Sequence, residues 1–365
     1  MRIGVLGLPN TGKTTLFNAL TGMDVEVGPV ATLKPEPHVG MVKVPDVRLD
    51  YLAGVYEPKK TTFADMELFD MMGIVPGGGK DSPGRRVCNQ VRDVQALVQV
   101  VRGFSNPMVP AYEDRVDPVK DVELVEMELL FADLELVEKR LERIEVSLKK
   151  GLDKDALLKE RQVLERCRSA LEDEKMLRDM EFSHEELTIL NTYQFLTQRP
   201  ELIVVNVHEE ADSGEKERLV AAVKEQLSSA DTDVVALSAK VEMEISQLDD
   251  EDRQMFMDDL GIVTPAAELV AQHAYSLLGL IPFFTVGKDE VKAWTIRAGT
   301  TAVKAAGKIH SDIERGFIRA EVIAYQDFVA CEGNVGKAKE KGLFRLEGKD
   351  YVVKDGDIIN FRFNV

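Results

Sequence analysis

Cysteine, long apolar runs and basic charge are all scarce in this chain. Three cysteines in 365 residues, Cys88, Cys167 and Cys331, stand far apart. They cannot build a disulfide framework and read as reduced thiols of a cytoplasmic protein. No stretch of 18 apolar residues occurs, so no transmembrane helix and no membrane partner are expected. Met1-Arg2-Ile3 leads straight into an apolar strand and a motif, so no signal peptide is expected. Lys and Arg number 46 against 64 Asp and Glu, a formal net charge of −18. A uniformly acidic surface repels phosphate backbones, which argues against a whole-chain nucleic-acid clamp and against DNA. The charge is uneven, however. Residues 279–365 carry 14 basic and 12 acidic side chains, so this segment escapes the argument and an RNA-containing partner stays compatible with it.

What is present suffices for a folded protein of two or three domains, at roughly 100–200 residues each. Hydrophobic residues make up 44% and charged residues 30% of the chain, enough to bury a core. Strand-length apolar runs recur at Arg2–Gly7, Asp65–Phe69, Val94–Val101, Glu201–Asn206 and Val234–Ser238, mostly with helical patterns between them. That alternation predicts an α/β fold with a mainly parallel sheet. One long charged insertion interrupts it. Leu130, Leu134, Val137, Leu141, Ile144 and Leu148 are spaced 4, 3, 4, 3, 4, a heptad seam on a helix from Pro118 to about Lys150. Gly151-Leu152-Asp153 breaks it, and a second helical pattern runs from about Lys154 to Leu177. The spacing predicts an antiparallel hairpin whose seam is covered by its own second helix. Beyond Leu280, strand-like segments are expected at Ile281–Val286, Ala293–Ile296, Phe317–Val322, Asp350–Val353 and Ile358–Phe363. A helix over Thr300–Ile309 with Thr at its start lies among them. This reads as a small α+β module. The run Gly77-Gly78-Gly79 reads as a loop.

The chemistry is announced at the N-terminus. Gly7-Leu8-Pro9-Asn10-Thr11-Gly12-Lys13-Thr14 fits G-x-x-x-x-G-K-[ST], with a strand before it and a helix after it. Glycines let backbone N–H groups curl around phosphates, and the helix N-terminus adds its positive dipole end. Asn10, Thr11, Gly12, Lys13, Thr14 and Thr15 are the phosphate-binding candidates. Lys13 should reach the β- and γ-phosphates, and the Thr14 hydroxyl should ligate Mg²⁺. Asp70-Met71-Met72-Gly73 ends a strand as a D-x-x-G element. There Asp70 would hold Mg²⁺ through water and the Gly73 N–H would sense the γ-phosphate, which makes Lys13, Asp70 and Gly73 the catalytic candidates. Thr32 is a candidate to close over the metal, and Asn10 to hold K⁺ or, more simply, to cap the loop.

Asn206-Val207-His208-Glu209 and Ser238-Ala239-Lys240 follow later strands, where nucleotide-binding relatives read the base. GTPases show N-K-x-D there, and the Asp accepts two hydrogen bonds from guanine. Here Glu209 replaces that Asp, its extra methylene displacing the carboxylate, and Val207 replaces the Lys. The guanine reader is impaired and ATP becomes the expected nucleotide, with Asn206, Val207, Glu209, Ser238 and Ala239 as base-site candidates. A GTPase, if Glu209 still reads guanine, is the alternative.

With these residues in place the chain resembles the YchF subfamily of Obg-like P-loop ATPases over nearly its whole length. The carriers are Gly7–Thr21, V-P-D-x-R-L-D at Val44–Asp50, V-D-P-V-K-D at Val116–Asp121, N-V-H-E at Asn206–Glu209 and S-A-K-V-E at Ser238–Glu242. L-D-D-E at Leu248–Glu251, D-L-G-I at Asp259–Ile262 and a dense C-terminal match ending in D-Y-V-V-K-D-G-D-I-I-N-F-R-F-N-V complete them. The resemblance implies a P-loop domain over 1–277, a helical coiled-coil insertion over 119–198 within it, and a β-grasp TGS domain over 278–363. It also implies ATP hydrolysis with Mg²⁺ and ribosome association through the TGS domain and the insertion, by a protein expected to be a monomer. In the family the positions of Asn206 and Val207 contact adenine. Four stretches depart from the family pattern: Phe69-Asp70-Met71-Met72-Gly73-Ile74, Lys80–Gln90, Pro29–Pro37, and Asn106–Asp117, which lacks the family's histidine. Ile74 stands where many GTPases place a water-orienting Gln. His38, near the first switch, is the histidine worth testing as a substitute. A nucleotide-responsive binding module with little or no hydrolysis is therefore the second reading. Lys288, Lys292, Arg297, Lys304, Lys308, Arg315 and Arg319 are the cations expected to face an RNA or ribosomal protein.

Overall fold

The computed structural model describes residues 1–26, 37–77, 82–150, 154–227 and 231–364. The chain divides into two compact units, residues 1–42 with 67–273 and residues 43–66 with 274–365. From the sequence, by contrast, 43–66 is expected within the P-loop domain over 1–277. Thr32, Gly78 and Gly79 lie outside the described residues.

Strand β1 (Arg2–Leu6) is buried from Ile3 onward and leads through the glycine-bearing turn into helix α1 (Lys13–Thr21). Strand β2 (His38–Val44), helix α2 (Val47–Tyr56) and strands β3 (Lys60–Thr62) and β4 (Ala64–Asp70) follow. Then come α3 (Pro83–Gln90), β5 (Ala96–Gly103) and the two long helices α4 (Pro118–Lys149) and α5 (Lys154–Glu172). After the short α6 (His184–Leu190) the chain runs β6 (Glu201–Val207), α7 (Ser213–Gln226), β7 (Thr232–Leu237), α8 (Ala239–Ser246), α9 (Asp250–Asp259) and α10 (Ala266–Leu277).

The first sheet has the order β2-β4-β1-β5-β6-β7. β1 pairs parallel with β4 and β5, and β6 pairs parallel with β5 and β7. The register opposes Val5 to Asp70 and Asn206 to Leu237. Parallel strands put their C-terminal ends on one edge, and in such sheets ligands bind there. The P-loop, Asp70, Asn206 and Ser238 all follow or close such an end, so topology alone gathers them. β5 and β6 are apolar almost throughout because both of their faces are covered.

The heptad seam is buried as the spacing predicts. Leu130, Val137, Leu141 and Ile144 pack with Val163, Leu164, Cys167, Ala170 and Leu171, and Leu134 and Leu148 lie against the same cluster. The second helix is shorter than expected: it ends at Glu172, Glu174 takes the left-handed conformation (φ 57°), and 177–179 form a single 3₁₀ turn. Polar ties fasten the root of the hairpin to the sheet. Asp133, fully buried, accepts from the backbone N–H and the hydroxyl of Thr197 at 2.8 Å each and from Arg92 at 2.7 Å. Arg178 bridges Glu126 at 2.7 Å and Glu201 at 2.8 Å. Burial, reinforced by the charge of Glu201, pushes Glu126 up to about 7 while Arg178 opposes the shift.

The second unit is built on β8 (Leu280–Thr285), β9 (Glu290–Arg297), α11 (Ala302–Ile309), α12 (Ser311–Arg315), β10 (Phe317–Ala324), α13 (Tyr325–Ala330), α14 (Val335–Glu340), β11 (Arg345–Glu347) and β12 (Asp357–Phe363). Its sheet order is β11-β10-β12-β8-β9-β3. The small face of α11, Ala302, Ala305 and Ala306, lets the helix approach a core of Phe283, Phe317 and Phe361. Tyr51 and Tyr56 of α2 meet the rings of Tyr325 and Phe328. One expectation fails here. Asp350–Val353 is no strand and makes one bridge, Val352 to Thr301. The Tyr351 carbonyl does other work: it and the carbonyl of Lys349, just before the segment, accept from the N–H groups of Ala302 and Val303. They supply partners for the first N–H groups of α11, whose N-cap Thr301 makes no side-chain bond.

Candidate nucleotide site

The P-loop needs glycine at Gly12 for two reasons. Its φ of 93° is left-handed, and a Cβ there would lie 2.2 Å from the Asn206 side-chain nitrogen. That nitrogen donates to the Thr11 carbonyl at 2.9 Å, while the Asn206 amide oxygen accepts from the Ala239 N–H at 2.9 Å. Asn206 is buried and spends both ends of its amide holding the P-loop to the start of α8. Three base-site candidates expected from sequence, Asn206, Ser238 and Ala239, thus come together beside Thr11 and Gly12. Ser238 is buried too, and its hydroxyl has no hydrogen-bond partner. Val207 belongs to the apolar cluster of Val101, Val122, Ile203 and Val205, so what it can offer a ligand is backbone. Glu209 is exposed at the tip of the loop after β6 and forms an ion pair with Lys240. That hydrogen bond holds its carboxyl below the usual range.

Lys13 lies almost wholly buried and donates from its ammonium to the Leu8 carbonyl at 2.7 Å. Burial lowers it to about 8, with the charge of Asp70 opposing. A cation held in so dry a place has a strong electrostatic demand for an anion. The Thr14 hydroxyl donates to Asp70 Oδ2 at 2.8 Å. Burial raises Asp70, and Thr14, Lys13 and His38 pull it back. The other oxygen, Asp70 Oδ1, is buried with no hydrogen-bond partner. An unpartnered carboxylate oxygen beside a threonine hydroxyl is a hard-oxygen donor set that suits Mg²⁺. The residues therefore fit the ion. His38, half exposed at the first position of β2, brings Nδ1 to 3.7 Å from Asp70 Oδ2.

Gly73 packs on the P-loop: a Cβ there would meet Pro9 at 2.8–2.9 Å. The Ile74 N–H donates to the Gly7 carbonyl at 2.9 Å. Ile74 itself is fully buried, so it holds the loop and leaves no side chain for water. Six hydrogen bonds escaped sequence reasoning, four of them because they join residues far apart in the chain. Asn10 donates to the Pro110 carbonyl at 3.1 Å. Arg102, buried at the end of β5, donates to the carbonyls of Asn10, Val109 and Pro110. The Gly77 N–H reaches Glu128 of α4 at 2.8 Å, and Arg85 of α3 donates to the Glu128 carbonyl at 3.1 Å. Only the placement of Arg102 at a strand end next to the P-loop strand was a usable signal.

The C-terminal cations are less free than the sequence suggests. Lys304 pairs with Glu314, Arg315 with Asp312, and Lys292 lies 3.9 Å over the Trp294 ring. Among the described residues, no helix is long and apolar enough to cross a membrane.

Comparison with known proteins places this geometry. Residues 2–133 match the family described as 50S ribosome-binding GTPase, and residues 280–364 match YchF-GTPase_C, described as a protein of unknown function (DUF933). The chain is 44% identical to the ribosome-binding ATPase YchF of Bacillus subtilis, over 99% of each chain. It is 42% identical to the protein of that name from Escherichia coli O157:H7, over 100% of this chain and 99% of the other. The solved structure of the Schizosaccharomyces pombe YchF GTPase superposes with a TM-score of 0.83 at 30% identity, covering 99% of this chain and 97% of that one.

Proposed function

The chain belongs to the YchF family of P-loop NTPases, and on that premise we propose that it binds ATP with Mg²⁺ and hydrolyses it to ADP and phosphate. The cycle switches the contacts of its helical hairpin and C-terminal unit with the ribosome. The carrying observation is the cluster at the sheet edge: buried Lys13, with Thr14 and Asp70 meeting at 2.8 Å beneath a P-loop held by Asn206.

In this reading the P-loop N–H groups of Asn10 to Thr15 cradle the phosphates, and Lys13 leaves the Leu8 carbonyl for β- and γ-phosphate oxygens. Thr14 and Asp70 would hold Mg²⁺, with Thr32 a third candidate. When bound, the ion neutralises charge developing on the γ-phosphate. Gly73, seated on Pro9, reports the γ-phosphate through its N–H. From there Gly77, through Glu128, and Arg85 of α3 touch α4, a short route from nucleotide to hairpin. Ile74 cannot orient water, and His38 is the side chain best placed to help. Asn10, its amide nitrogen given to Pro110, keeps its amide oxygen for K⁺.

Base choice matters because the relatives' names divide between ATPase and GTPase. Adenine is supported by Glu209, one methylene longer than the guanine-reading Asp and already paired with Lys240. The functional domains in this reading are 1–277, 119–198 and 278–363, the last a TGS module. The protein works in the cytoplasm as a monomer, with ribosomal RNA or protein as partner and without DNA or membrane. Titration of MgATP and MgGTP tests it. ATP is expected to bind at least about tenfold tighter, a difference of ~1.4 kcal/mol. Equal affinities, or tighter GTP, would remove the adenine assignment.

A further inference from the structure

The Lys240–Glu209 ion pair joins the first turn of α8 to the loop after β6. Both residues flank the two strand ends that Asn206 ties together, so the pair sits where a base carried on this P-loop would present its edge. Glu209 lies four-tenths exposed and Lys240 more so, and no other cation is paired with Glu209 among the described residues. A carboxylate that reads guanine must offer both oxygens to the N1–H and the exocyclic amine. With an ammonium on Oε2, Glu209 must give up that bond first. The same ammonium lowers the negative potential that would repel the unprotonated N1 of adenine. The pair thus acts on both sides of the choice, penalising guanine and tolerating adenine.

We propose that Lys240 contributes to base specificity, acting through Glu209 to withhold the guanine-reading carboxylate and so favour adenine nucleotides. This rests on the nucleotide reading above and adds to it a positioning residue outside the phosphate machinery. The expected effect is modest, since an exposed ion pair contributes ~1 kcal/mol or less, about fivefold at most.

The test uses non-hydrolysable ATP and GTP analogues with Mg²⁺ on the full chain. The substitution Lys240→Met keeps the aliphatic stem and removes the charge. It should lower the ATP-to-GTP affinity ratio by about two- to fivefold, mainly by tightening GTP. Lys240→Arg should retain the wild-type ratio. On a Glu209→Gln background, Lys240→Met should change nothing, because the group it releases is gone. Wild-type discrimination should also weaken with added salt, as screening loosens an exposed pair. An unchanged ratio in Lys240→Met, or an equal change on the Glu209→Gln background, would overturn the role of Lys240 while leaving the ATP reading intact. A wild-type protein that prefers GTP would instead overturn the ATP reading itself.

Discussion

Lys13→Ala is expected to cut ATP turnover by about a hundredfold or more without unfolding the protein. Removing one preorganised group that stabilises transition-state charge costs about 10² to 10³ in rate. The fold should tolerate the change for reasons visible at the site. The Leu8 carbonyl that loses Lys13 still accepts from the Thr11 hydroxyl at 3.2 Å. The lost ammonium was also one that burial disfavours, as its lowering to about 8 records. Turnover measured beside a thermal melt checks both halves. A variant that hydrolyses at the original rate would mean the activity belongs to a contaminant.

Asn206→Ala is expected to damage both folding and nucleotide binding. It strips the Thr11 carbonyl and the Ala239 N–H of their partner in a buried place. Each orphaned group costs ~1–3 kcal/mol, so the total is about 2–6 kcal/mol if both stay dry. It also frees the P-loop at Gly12, and MgATP affinity should fall by at least about tenfold, since backbone N–H groups held in place make the site. Asn206→Asp keeps the acceptor for Ala239 and loses the donor to Thr11, placing a carboxylate against a carbonyl. It should rescue neither property. Calorimetric binding and a denaturation curve decide. An Asn206→Ala protein with native stability and affinity would show that the amide bridge is incidental.

Much of the site is legible because its parts are local. The P-loop is eight consecutive residues whose glycines and lysine have one known use, and the strand–helix context is contiguous with it. The hairpin is legible because a 4, 3 spacing has one structural meaning. Asp70 and Gly73 are found because they lie at a strand end in the right order. What escapes is long-range. Arg102 and Asn10 meet through Pro110, and Gly77 finds Glu128 fifty-one residues away. No local pattern encodes such pairs. Val207 reads as a base-site residue from its motif, yet β6 is buried on both faces, so its side chain goes to the core. The strand β3 is missed because three residues carry no periodicity, and its pairing with β9 joins segments more than two hundred residues apart. The segment Asp350–Val353 has strand-like composition, but the start of α11 takes the Tyr351 carbonyl and that of Lys349 just before it.

The family is also recognisable from sequence, and so are the departures that make catalysis the open chemical question. Ile74 is buried against the P-loop, and Asn106–Asp117 contains no histidine. In the proposed mechanism the groups left for transition-state stabilisation would be Lys13, Thr14 and Asp70, with His38 beside them. The measurement that bears most directly on this account is the release of phosphate from ATP, with and without ribosomes, set against Lys13→Ala. Turnover is expected to exceed the Lys13→Ala background and to rise when ribosomes are added. Tight ATP binding with phosphate release at that background, ribosomes present, would contradict it and leave a nucleotide-responsive binding module.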